Sequence, residues 1–170
     1  MDRNFKKEFE HIYEENADAL FRFIRFRVSD RQQAIDIAQE SFIKFWQVFT
    51  EQEVKEERAF LFKIARNLVI DWYRKSKSVP MQNFSGEVGD EEVSLDMFSS
   101  NIVSAETSSE VEIAKKEIAG LEPIYREAVY LRYVEELTPK EIAEILGEST
   151  NVISVRINRG VALLQSKFKQ

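Results

Sequence analysis

Residues 138–164, TPKEIAEILGESTNVISVRINRGVALL, read as two helices joined by a tight turn. Thr138 is placed to cap the first helix, and Pro139 follows at the first helical position, where its missing N–H costs nothing. Glu141, three residues after Thr138, completes a capping box. Ile142, Ile145 and Leu146 share one face, and Ala143 is small enough for a second helix to cross closely. Gly147 ends the helix, because glycine enters the left-handed conformation without strain. Ser149 or Thr150 can cap the next helix. There Ile153, Ile157, Gly160 and Leu164 recur at helical spacing and are expected to face inward. Asn151, Ser154, Val155 and Asn158 then look outward, with Arg156 and Arg159 on a flank. From Thr150 onward there are four cations, Arg156, Arg159, Lys167 and Lys169, and no carboxylate. This is the pattern of a helix-turn-helix, which lays its second helix in the major groove of DNA. One-sided positive charge suits a phosphate backbone. On this stretch alone, an ordinary helical hairpin with a solvated outer face competes with that reading.

The rest of the chain sets the frame. Its 170 residues suffice for one domain or two small ones. Helical periodicity is strong and strand-like alternation scarce, so an all-α protein is expected. No apolar run is long enough to span a bilayer, and the charged start MDRNFKKEFEHIYEE offers no secretory signal, so a cytoplasmic location is expected. There is no cysteine, hence no disulfide or thiolate metal site. A net charge of -6 looks wrong for a nucleic-acid binder. Its distribution resolves the conflict. Residues 78–112 carry eight carboxylates (Glu87, Asp90, Glu91, Glu92, Asp96, Glu106, Glu110 and Glu112) and no Lys or Arg. The flanks are close to neutral. The acidic segment lacks periodicity and reads as a flexible linker. It divides the chain into expected helical domains at residues 1–77 and 113–170, the second holding the helix-turn-helix.

In the first domain, helices are expected over residues 5–27, from Asp30 onward, and over residues 57–75. Asp30 has Gln33 three residues on as a cap, and Phe42, Phe45, Trp46 and Phe49 read as core. Asp36, Gln39 and Glu40 fall at i, i+3 and i+4 and share one face. Such a face suits a polar or basic partner, although on physics alone a solvated face is the simpler reading. In residues 58–77, Arg58, Lys63, Arg66, Arg74, Lys75 and Lys77 interleave with aromatic residues against one acid, Asp71. Basic groups that follow a backbone and rings that stack on bases suit single-stranded or melted nucleic acid. Asn67 offers both a donor and an acceptor to a base edge.

These segments together resemble the extracytoplasmic-function group of the sigma-70 family of transcription initiation factors. DIAQESFIKFW is similar to the family's region 2.2, LFKIARNLVIDWYRKSK to regions 2.3 and 2.4, and residues 121–160 to region 4. The resemblance implies partners, core RNA polymerase and promoter DNA, and often an anti-sigma protein. It implies no cofactor, no membrane insertion and no small-molecule substrate. Asp36, Gln39, Glu40 and Ile43 would dock on the polymerase clamp. Lys63, Arg66, Asn67, Asp71, Arg74, Lys75 and Lys77 would meet the -10 element. Thr150, Asn151, Ser154, Val155, Arg156, Asn158 and Arg159 would meet the -35 element. The chain departs from the family at Val152, Ser154 and Glu148, where threonine, lysine and an apolar residue are usual. Fewer phosphate contacts from this helix are therefore expected. Gly160, where alanine is common, is expected to loosen the helix by about 1 kcal/mol. An enzyme is not expected, with a single histidine, His11, and no glycine-rich phosphate loop. A stand-alone helix-turn-helix regulator is the alternative. It accounts for the second half but not for the basic-aromatic helix or the Asp36 face.

Overall fold

Capping side chains set most helix starts. The computed structural model describes residues 4–76 and 109–169. Among them are seven α-helices and no strand: α1 (Phe5–Arg25), α2 (Arg31–Glu51), α3 (Glu57–Ser76), α4 (Ser109–Ala119), α5 (Pro123–Tyr133), α6 (Pro139–Leu146) and α7 (Thr150–Phe168). The Asp30 side chain accepts from the Gln33 N–H at 3.1 Å and starts α2. Thr138 and Glu141 form the expected capping box at the start of α6. Gly147 ends α6 in the left-handed conformation at φ 68, and Ser149 rather than Thr150 caps α7. The end of α5 is less usual. Glu136 takes a left-handed φ of 56, a strained conformation for a residue with a Cβ. It lets the Leu137 N–H reach back to the Leu131 carbonyl and close the helix.

The acidic linker expected at residues 78–112 lies outside the described residues except for its last four, which form the first turn of α4. Glu110 and Glu112 favour that turn electrostatically.

α1, α2 and α3 pack on one another, and α5 is gripped by α4, α6 and α7. The two halves also meet directly, α3 against α6. Their buried residues form one continuous core. The two helical domains expected from the sequence are present, and their described residues share a core. Phe23, Phe45, Phe49 and Phe62 are fully buried in it. Each such side chain contributes roughly 1.5–3 kcal/mol by leaving water.

Gly160 corrects a sequence expectation. A Cβ there would lie 2.5 Å from Val129 Cγ2 and 3.3 Å from Tyr125 Cβ, both on α5. The glycine therefore allows α7 to cross α5 at close range; it does not merely weaken a helix. Val129 is buried and has little room to move away. Gly160→Ala gains about 1 kcal/mol of helix propensity but forces an overpacked contact costing about 1–3 kcal/mol. The expected outcome is a net loss of stability in denaturant titration, which a Val129→Ala change in the same chain partly restores.

Candidate nucleic-acid and partner interface

The polar face of α2 is open. Asp36, Gln39, Glu40 and Ile43 are all exposed, Ile43 at 58% of its surface. Gln39 and Ile43 also line a groove of about 970 Å³ between α1 and α2, walled by Phe9, Tyr13, Phe42 and Trp46. The surface expected from sequence as a polar face is thus a polar edge beside an apolar groove. Tyr13, on its wall, stands 49% exposed.

The helix α3 has two distinct stripes. Lys63, Asn67, Asp71, Arg74 and Lys75 follow one side; Lys63 is half-buried and the others are exposed. Arg58, Phe62 and Arg66, at steps of four, follow another and face the second half of the chain. The residues expected at the -10 element are therefore split, with Arg66 turned inward. Lys77 lies outside the described residues.

Arg66 meets Glu127 of α5. Its Nε donates to Oε1 at 2.9 Å and its Nη2 to Oε2 at 3.2 Å, a two-pronged fork. Arg27 adds a third bond from Nη2 to Oε1 at 3.3 Å. Arg27 is itself fixed, since its guanidinium lies 3.6 Å from the centre of the Phe23 ring and donates to the Phe23 carbonyl. Burial pushes the Glu127 carboxyl up, but the guanidiniums of Arg66 and Arg27 outweigh it and hold the group below the ordinary carboxylate range. A second fork lies nearby. Arg22 donates to both oxygens of Glu135, at 3.2 and 2.9 Å, and Tyr130 donates its hydroxyl to the same carboxylate at 3.0 Å. Arg58 donates to the Glu135 carbonyl at 2.9 Å. Phe26 stacks on Tyr130 with ring centres 4.1 Å apart. An exposed pair, Lys140 with Glu56, also joins the halves, and pairs of that kind add little.

The outer face of α7 is open. Thr150, Asn151, Val155, Asn158 and Arg159 are exposed, and Ser154 and Arg156 are half-buried. Arg156 is tied to Glu148 at 2.7 Å. The acid noted in the sequence as a departure thus restrains one of the helix's few cations.

Sequence reading did not single out Arg27, Glu127, Arg22 or Glu135. The available signal was a charged pair, Arg126-Glu127, inside the otherwise apolar face of α5.

Models of sigma-70 region 2 and sigma-70 region 4 match residues 12–79 and 112–164. The ECF RNA polymerase sigma factor SigW of Bacillus subtilis is 29% identical over 163 residues, covering 89% of this chain and 84% of that protein. The RNA polymerase sigma factor SigV of the same organism is 30% identical over 139 residues, covering 81% of this chain and 77% of its own length. Among solved structures, the sigma factor RpoE in complex with the anti-sigma factor NepR, from Bartonella quintana, aligns with a TM-score of 0.71. It is 25% identical, and the alignment covers 96% of this chain and 98% of that one.

Two outcomes follow from the ion pairs. A carboxylate whose folded pKa is depressed adds stability above its unfolded value, about 4.3, and loses it as pH falls through the folded value. In thermal melts the wild type should exceed Glu127→Gln at pH 7, the gap closing below about pH 4. Glu148→Gln should release Arg156 towards a phosphate. Non-specific duplex DNA should then bind more tightly at low salt, its log–log salt slope steeper by about one.

Proposed function

Since the chain belongs to the extracytoplasmic-function group of the sigma-70 family, and so is a transcription initiation factor that directs RNA polymerase to promoters, we propose a division of that work along the chain. Residues 1–77 dock on core polymerase and open the -10 element, residues 78–112 link, and residues 113–170 read the -35 element. Matching region models in the right order argue against the stand-alone regulator, which needs only the second half.

The observation that carries the docking assignment is the open edge formed by Asp36, Gln39 and Glu40 beside the groove at Ile43. Polar groups there set orientation and on-rate, while the apolar wall supplies burial. On α3, Asn67 captures a base flipped from the melting strand, offsetting an unstacking cost of a few kcal/mol. Lys63, Arg74 and Lys75 follow the backbone, joined by Lys77 and by Arg66 when it is uncovered. Asp71, which pairs with Arg74 at 3.7 Å, orients that cation. Along α7, Thr150, Asn151, Ser154, Val155, Asn158 and Arg159 face the upstream groove, with Arg156 at its edge. The chain does no bond chemistry of its own; polymerase does. This work places it in the cytoplasm. An anti-sigma protein is a further partner, supported by the likeness to RpoE bound to NepR.

Gln39→Ala combined with Glu40→Ala tests the docking assignment. Both residues are exposed, so the chain stays folded. Affinity for core polymerase should fall by about tenfold or more, with run-off transcription from a randomised promoter library falling in step. Survival of both overturns the assignment.

A further inference from the structure

Glu127 and Glu135 sit on the second half of the chain, and every guanidinium that holds them, from Arg22, Arg27, Arg58 and Arg66, comes from the first. The buried polar contacts between the halves are thus one-sided, with cations from the -10 half and acceptors from the -35 half; only the exposed Lys140–Glu56 pair, among the described contacts, runs the other way. The Glu127 and Glu135 side chains are 10% and 0% exposed. Neither arrangement follows from folding each half alone, because within its own half Glu127 would lack the guanidiniums of Arg66 and Arg27. A guanidinium fork accepts a carboxylate and a phosphate in the same two-pronged geometry.

We infer that this contact is an autoinhibitory latch, in which Glu127 occupies the Arg66 fork that the open chain offers to a phosphate of the melted promoter strand. The inference rests on the proposed role of α3 at the -10 element. The latch covers the Arg58–Phe62–Arg66 stripe and leaves Asn67, Arg74 and Lys75 in solvent. A closed chain can therefore touch DNA weakly along α3 but cannot wrap the strand around the helix. Opening exchanges Glu127 for phosphate at Arg66, so promoter DNA and domain closure compete for one group. The exchange is between two charge-assisted pairs, so it is reversible and responds to DNA. A hydrophobic seam with no ionic partner to substitute would not respond in this way.

The absence of cysteine makes closure directly measurable. Cysteines placed at the exposed positions Gln47, on α2, and Gln165, on α7, carry a donor and an acceptor dye on opposite halves of the full chain. The wild type is expected to show high transfer. Glu127→Gln, which leaves two buried guanidiniums without their carboxylate, should raise the open-to-closed ratio about a hundredfold. Arg22→Ala removes a side chain that is 43% exposed, keeps the fold, and should open the chain by a smaller factor of about ten. Circular dichroism checks the helices; if Glu127→Gln loses them, Arg22→Ala decides. A short single-stranded DNA of randomised sequence is the ligand probe, and it should bind both variants more tightly than wild type. Unchanged transfer in a folded variant overturns the latch. Lower transfer without tighter DNA binding overturns its inhibitory role. The transfer readout uses neither DNA nor polymerase, so failure of the latch is distinct from failure of the α3 reading, which shows as an opened chain that binds the single strand no more tightly.

Discussion

A carboxylate taken out of water must find positive charge, and Glu127 finds its hydrogen-bonded guanidiniums across the interface between the two halves. Its oxygens accept three hydrogen bonds from Arg66 and Arg27. Apolar surfaces alone tolerate many sliding registers. A fork of two N–H groups on two oxygens does not, because a shift of one helical position leaves the charges unpaired at a cost of several kcal/mol. The pair adds little net stability over an apolar substitute, but it selects one arrangement of α3, α5 and α6 from those the core would permit. The second fork, at Glu135 just past the end of α5, repeats the constraint. One fixed point on the helix and one beyond its end leave little freedom to pivot.

This constraint divides α3 in a way that composition does not. Its cations look alike in sequence, yet Arg66 turns to the protein while Asn67, one position later, turns to solvent. Successive helical residues differ by about 100° in direction, which is enough to separate a buried ion from an exposed amide. One helix can thus hold the molecule together with one stripe and face a ligand with the next.

The helix boundaries of the helix-turn-helix were legible in the sequence because the signals that set them are local. Thr138, Glu141, Gly147 and Ser149 act on groups three or four residues away. The interface was not legible, because the partner of Arg66 lies 61 residues along the chain. A guanidinium carries the same charge whether it meets phosphate or carboxylate, and a run of basic residues in a nucleic-acid binder reads first as the former. Gly160 was misjudged for a related reason. Its cost to the helix is local and visible, whereas the neighbour it makes room for, Val129, sits on another helix. The Asp36 face was visible as a pattern, but the groove beside it depends on how α1 and α2 pack.

The helix α7, the proposed -35 reader, is thinly charged, and one of its cations is held by Glu148. The helix α3, the proposed -10 reader, is half covered. Neither module is built to hold DNA strongly by itself. Two weak modules on one chain can gain about 10²–10⁴ in affinity when both engage at once, but the gain vanishes if geometry forbids it. In the closed arrangement α3 lies against α6, the first helix of the helix-turn-helix, so α3 and α7, the two proposed reading helices, are held at a fixed separation. A promoter presents its two elements far apart along the duplex. Avidity is therefore denied to the closed chain and available only when the halves separate. On the proposed division of labour, polymerase supplies that separation by holding each half at its own site, so specificity belongs to the assembled complex.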